Sequence, residues 1–240
     1  MTTRPFSLWV YLSQSPLLWL TVTLVVYAVT DAISLRTRRH PLANPVLHAM
    51  WIIGAFLLLT GTPYTAYFAG AQFVHFLLGP ATVALAVPLY RHRRLVTQAI
   101  LPMLAALAVG SVTAIVSVVW LAEAFGLPRE VVLSLAPKSV TAGVAMGISE
   151  SLRADPSLTA VAVVLTGIMG AIIVTPLMDR TGIRDFRARG FAAGLAAHGI
   201  GTARAFQVDQ LAGTFSGIAM GLNALVTSFI VPLVITLLVR

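Results

Sequence analysis

An all-α, polytopic membrane helix bundle is the fold class this sequence predicts, and three observations carry it. Of 240 residues, 58% are hydrophobic and 10% are charged, whereas soluble domains carry about 25% charged residues. Apolar runs of roughly bilayer-spanning length recur along the chain. The arginines sit in short clusters between those runs, as cytoplasmic loops do under the positive-inside rule. So few charges cannot cover a water-facing surface, which sets aside soluble-enzyme, nucleic-acid-binding and disordered classes. The net charge of +8 therefore speaks of membrane orientation. With no cysteine, there is no disulfide framework, thiol nucleophile or thiolate metal site.

A helix needs roughly 20 apolar residues to cross a ~30 Å hydrocarbon core. Residues 8–30 fit, with Trp9, Tyr11 and Trp19 toward the first end; no small-x-small cleavage site follows, so the segment reads as a retained span. Residues 45–60 are short but adequate. Residues 66–90 are long and interrupted at Gly79-Pro80. Residues 95–122 are clean. Residues 128–150 are moderately apolar and broken at Ala136-Pro137-Lys138-Ser139. Residues 157–178 are clean, 188–206 are glycine-rich and broken at Gly199-Ile200-Gly201, and 211–239 are clean and long.

The loops carry Arg36, Arg38, Arg39 and His40, then Arg91, His92, Arg93 and Arg94, then Arg180, Arg184, Arg187 and Arg189, with Arg240 at the end. Placing all of them in the cytoplasm leaves the N-terminus and residues 123–130 outside. A full crossing by 128–150 would put the Arg180–Arg189 loop outside too. A re-entrant segment turning back at Pro137 removes the conflict; such backbone needs protein or a wet cavity around it. The expectation is about seven spans plus that broken segment, in one transmembrane domain over 1–240.

Sliding the sequence on itself by 120 residues sets Gly70 on Gly190, Gly79 on Gly199 and Thr82 on Thr202. The segments divide as 1–44 (first span and loop), 45–122 (first repeat), 123–156 (the Lys138 segment) and 157–240 (second repeat). The two repeats run in opposite directions. Inverted three-plus-three repeats with discontinuous helices build many secondary transporters; a chance alignment of glycine-rich helices is the competing explanation.

Lys138 is the sole lysine and follows Pro137 inside an apolar segment. A buried ammonium is costly and marks ion or substrate paths. Residues beyond a proline break can start a half-helix whose free N–H groups favour an anion, so Lys138, Ser139 and Thr141 read as a carboxylate cradle. The plain alternative is a lysine snorkelling to the headgroups. In Ala197-His198-Gly199-Ile200-Gly201-Thr202-Ala203-Arg204, the glycines permit local unwinding. Arg204 is a candidate bidentate anion ligand and His198 a candidate proton carrier; a buried histidine bonded to a carbonyl and an interfacial arginine are the alternatives. Thr82 beside Gly79-Pro80 joins the set, or that site is a simple kink. His48 is expected to make a core hydrogen bond, Glu150 to be solvated, and Glu123, Asp155, Asp179 and Asp209 to be loop charges. The pairs Gly143/Gly147, Gly190/Gly194 and Gly217/Gly221 permit close helix packing and an oligomer. No Walker, HExxH or GxSxG motif is present, so no catalytic residue, cofactor or metal is expected.

Several ordered motifs resemble the LrgB/CidB family: 77–90 (Leu-Leu-Gly-Pro-Ala-Thr-Val-Ala-Leu-Ala-Val-Pro-Leu-Tyr), 134–141 (Ser-Leu-Ala-Pro-Lys-Ser-Val-Thr), 156–161 (Pro-Ser-Leu-Thr-Ala-Val), 165–168 (Leu-Thr-Gly-Ile), 188–190 (Ala-Arg-Gly) and 197–204 (Ala-His-Gly-Ile-Gly-Thr-Ala-Arg). The resemblance implies a multi-pass protein of the bacterial inner membrane. It implies either of two roles. One is a holin- or antiholin-like regulatory subunit controlling murein hydrolase activity and lysis, with a small LrgA/CidA-like membrane partner. The other is a carboxylate transporter, as in the related plastidal glycolate/glycerate translocator. The broken helices and the intramembrane cation favour the second. The expectation is a secondary transporter of small monocarboxylates of the glycolate, pyruvate, lactate or acetate type. Its substrate would be bound by Lys138, Ser139, Thr141, Thr82, Gly199, Gly201, Thr202 and Arg204, with His198 coupling to protons. Expected partners are the carboxylate, the lipid bilayer, the small membrane protein and a second copy of the chain in a homodimer, with no nucleic acid.

Overall fold

The computed structural model describes residues 13–84 and 86–238, apart from the side chains of Leu78, Thr82 and Leu238. All regular structure among the described residues is helical. The chain divides into two compact units, Met1–Ala86 and Val87–Arg240. Among the described residues, five helical stretches are long and apolar enough to cross a membrane: Pro16–Arg36, Tyr64–Arg91, Ile100–Ala124, Pro156–Arg180 and Gln210–Leu237; Pro45–Thr60 is a shorter apolar helix. The protein is thus a multi-pass membrane protein.

The first unit holds α1 (Pro16–Arg36), α2 (Pro45–Thr60), α3 (Tyr64–Phe76) and α4 (Leu78–Ala84), followed at its edge by α5 (Ala86–Arg91). The start of α2 follows local rules. Asn44 accepts hydrogen bonds from the Val46 and Leu47 N–H groups, Pro45 takes the first helical position, and Gly61 at φ +64° closes the last turn. The aromatic core of this unit is Trp19, fully buried, whose ring meets Phe56 and Tyr67 edge-on at centroid distances of 6.2 and 5.9 Å. His48 meets the Leu42 carbonyl through Nε2 at 2.9 Å, but both residues are exposed, so this is a surface bond to the preceding turn and not the core bond expected. The expected break at Gly79-Pro80 falls at Leu77 instead, between α3 and α4. Pro80 sits in the first turn of α4, where a missing N–H costs nothing.

The second unit continues with α6 (Arg93–Gln98), α7 (Ile100–Ala124), α8 (Arg129–Leu135), α9 (Ala142–Ser151), α10 (Pro156–Arg180), α11 (Phe186–Val208) and α12 (Gln210–Leu238). It contains two fold-backs. In the first, Thr159 near the start of α10 places its hydroxyl 2.9 Å from the Ser134 carbonyl and 2.8 Å from the Ser149 hydroxyl. Ser134 lies in the last turn of α8 and Ser149 in the last turn of α9, so the two ends are level. The chain must descend past Ser134 and climb back through the ~10 Å that seven residues of α9 span. Residues 128–150 therefore turn back around Pro137. Val132, Leu133, Val140, Ala145 and Ile148 of this hairpin pack against Ile115 and Val119 of α7 and Val231, Val234 and Ile235 of α12.

The second fold-back corrects the expectation that 188–206 is a span. Inside α11 the backbone leaves helical geometry at Ala197 (φ −128°, ψ 15°) and His198 (φ +40°, ψ −132°). A Cβ on Gly201 would come within 2.6 Å of the Ala197 Cβ and 2.5 Å of the Ala193 carbonyl oxygen, whereas eight residues of straight helix rise about 12 Å. The limb 199–208 thus lies back along the limb 186–196. Against α12 the first limb runs parallel, with Gly190 on Ala212 and Gly194 on Ser216. The second runs antiparallel, with Thr202 on Ser216 and Phe206 on Gly213. The reversal leaves α12 as the single crossing between the arginine loop and the end of the chain. The far end of α12 then falls opposite that loop; Arg240, expected on the loop's side, lies outside the described residues.

The hairpins enter from opposite ends. The first packs near the start of α10 and the last turns of α12; the second has its base at Ala212, near the start of α12, and at the end of α10, where Arg189 pairs with Asp179 at 2.5 Å.

Candidate functional site

The first tip is made by the sequence Ala136-Pro137-Lys138-Ser139-Val140. Turn bonds from Lys138 N–H to the Leu135 carbonyl and from Val140 N–H to the Pro137 carbonyl, both 3.2 Å, hold it. Thr141 is extended (φ −61°, ψ 145°) ahead of α9, and its hydroxyl makes no capping bond. The first N–H groups of α9 thus start without a side-chain cap, a feature that favours negative charge. Lys138 is half-buried and has no ion-pair partner among the described residues. Glu150 is exposed.

At the second tip, buried His198 adopts a backbone region disfavoured for any side chain bearing a Cβ. The strain is held by its surroundings. Nε2 donates to the Val163 carbonyl at 2.9 Å; a carbonyl can only accept, so this nitrogen carries the proton. Thr202 donates to the His198 carbonyl at 2.8 Å and sits 2.9 Å from the Ser216 hydroxyl. On α10, a Cβ at Gly167 would strike the His198 ring and one at Gly170 would strike Ala197. Glycine there is what lets the tip sit against α10.

The two tips meet at Asn223 of α12. Its Nδ2 donates to the Ser139 carbonyl at 3.2 Å and to the Leu195 carbonyl at 3.1 Å. Its Oδ1 accepts from the Ser111 hydroxyl at 2.7 Å and the Thr227 hydroxyl at 3.1 Å. Sequence reasoning passed over Asn223. The available signal was a lone carboxamide inside a long apolar helix, the kind of residue that binds helices together in lipid.

The structure thus brings together Lys138, Ser139 and Thr141 on one tip and His198, Gly199, Gly201 and Thr202 on the other. Of the other two expected residues, one stands apart. Arg204 is buried but lines a small cavity with Val174, Thr175, Arg189 and Gly190 at the base of the second hairpin. Thr82 belongs to the other compact unit, and its side chain lies outside the described residues. Of the glycine pairs, Gly190/Gly194 packs directly on the α12 backbone, while Gly143 and Gly147 have nothing within 4 Å of an added Cβ. The loop carboxylates have local jobs. Asp155, Asp185 and Asp209 each accept backbone N–H bonds at the start of α10, α11 and α12. The Arg187 guanidinium, bonded to Asp185, holds that carboxyl below its ordinary value.

Among the described residues, five long apolar helices and two opposed hairpins define a polytopic membrane protein with discontinuous helices. The LrgB-like family profile matches residues 23–237, and the chain belongs to that family. It is 36% identical over 197 residues to the uncharacterized protein YxaC of Bacillus subtilis, covering 82% of this chain and 86% of that one. It is 31% identical over 220 residues to the holin-like protein CidB of Staphylococcus epidermidis, covering 92% and 96%. CidB of Staphylococcus aureus is 30% identical over 221 residues, with the same coverage. No solved structure matches the chain.

Proposed function

We propose that this chain is a holin-like or antiholin-like membrane protein of the bacterial inner membrane, without catalytic activity, that regulates membrane permeability and murein hydrolysis. The observation that carries this reading is kinship with proteins named holin-like along 92% of the chain. It works with a small LrgA/CidA-like membrane partner, and its glycine faces suit a homodimer.

The opposed hairpins favour a second reading, a secondary transporter of small monocarboxylates. A hairpin followed by a long helix occurs twice, as α8–α9–α10 and as α11–α12, and Leu135-Ala-Pro-Lys138 aligns with Leu195-Ala-Ala-His198. This finer inverted pairing supports the transporter architecture more locally than the alignment of 45–122 with 157–240. In this reading Lys138, the uncapped start of α9 and the Ser139 and Thr141 hydroxyls hold the carboxylate. His198 exchanges the proton, and Arg204 serves the arginine-rich base.

One experiment separates the readings. Purified protein in liposomes is assayed for glycolate, pyruvate, lactate and acetate uptake and for leakage of size-graded dyes, with and without the small partner. The holin-like reading expects partner-dependent leakage that Lys138→Ala leaves unchanged. The transporter reading expects saturable carboxylate flux without dye leakage, reduced at least tenfold by Lys138→Ala.

A further inference from the structure

We infer that the Asn223 carboxamide is a latch that holds the tips of the two hairpins closed against each other. The side chain is 1% exposed. A carboxamide offers two N–H donors and one oxygen with two lone pairs, and all four are engaged, by Ser139, Leu195, Ser111 and Thr227. Both carbonyls it serves belong to helix breaks. In a straight helix the Leu195 carbonyl would take the Gly199 N–H, but the non-helical Ala197 and His198 lie between them. Ser139 lies in the turn between α8 and α9. A buried carbonyl without a donor costs free energy that water or protein must supply. One nitrogen on a third helix satisfies both at once, so separating the tips leaves a carbonyl bare unless water enters. Tip separation and hydration of the site are thereby linked. Asn223 is a positioning residue. Its part in solute passage rests on the transporter reading; the latch itself does not.

The chain has no cysteine, so single thiols report cleanly. Ser139→Cys and Ala197→Cys stand at the two tips, where the native side chains are 2% and 0% exposed; Ile115→Cys stands in the α7 core, at 0%. Asn223→Asp keeps the shape but turns an oxygen on two carbonyls. In native membranes it is expected to speed maleimide labelling at least tenfold at both tips while Ile115→Cys stays protected. Unchanged labelling at both tips overturns the latch. If Ile115→Cys also reacts, the variant has unfolded and Asn223→Thr decides: its one hydroxyl donor is expected to free one tip, and protection of both overturns the proposal. Flux is read on the same proteins. Faster labelling with no carboxylate flux in any of them overturns the transporter reading and leaves the latch standing; flux with unchanged labelling overturns the latch alone.

Discussion

The two hairpins end a helix inside a protein core by opposite means. The first uses a proline and a short turn, places the only lysine there, and leaves open space beside Gly143 and Gly147. The second uses one strained residue, His198, and seats both limbs by glycine contacts, with Gly190 and Gly194 on α12 and Gly201 on Ala193. The difference teaches where rigidity and charge reside. The second hairpin is anchored backbone to backbone; the first has room beside it and carries the cation.

The glycines give the largest contrast. At Gly190 and Gly194 an added Cβ would overlap the Ala212 and Ser216 carbonyls, and backbone cannot rotate away. Gly190→Ala and Gly194→Ala are each expected to cost about 3 kcal/mol or more, read as loss of a monodisperse peak and a lower Tm. Gly143→Ala and Gly147→Ala are expected to raise stability by roughly 0.5–1 kcal/mol through helix propensity alone. Equal losses at both pairs would erase the contrast.

His198 gives the next. His198→Ala removes a packed ring and its bond to Val163 and is expected to cost about 2 kcal/mol. His198→Gln can still donate to that carbonyl and is expected to stay within about 1 kcal/mol of the parent. If the Gln variant still accumulates carboxylate down a proton gradient, His198 is a pin for the tip and not a proton carrier.

The smallest effect lies at the base of the second hairpin. Asp185 caps α11 and its carboxyl titrates below the ordinary aspartate value because Arg187 binds it. Its contribution is therefore complete above the unfolded-state value near ~3.9 and lost as pH falls through the lower folded value. Thermal unfolding against pH is expected to show a small step below pH ~4 that Asp185→Asn removes, while Asp185→Ala costs roughly 1 kcal/mol at neutral pH.

Much of this was legible in sequence where the signal is local. Residues 45–60 match Pro45–Thr60 because Asn44, Pro45 and Gly61 punctuate that helix from both sides. The turn at Pro137 was readable because proline and the arginine loops constrain the same segment. The reversal at His198 was not, since it depends on one backbone conformation that a histidine does not advertise, and the neighbouring glycines suit a kinked span equally well. Asn223 offered only half a signal: a carboxamide in an apolar helix says that helices are tied together there, but its partners lie 84 and 28 residues away, so which ones could not be read. Arg204 was grouped with the tip by its nearness in sequence, whereas the limb carries it back to the base.

The return of the second hairpin to the face it left is the point from which the rest follows. In the cysteine-free chain, Arg184→Cys and Gln210→Cys place exposed thiols at the two ends of α11. Labelling with a membrane-impermeant maleimide in sealed vesicles of known orientation reads their sides. Reaction of both from the same face is the expected result; reaction from opposite faces would mean that residues 186–208 cross the bilayer and that no second hairpin exists.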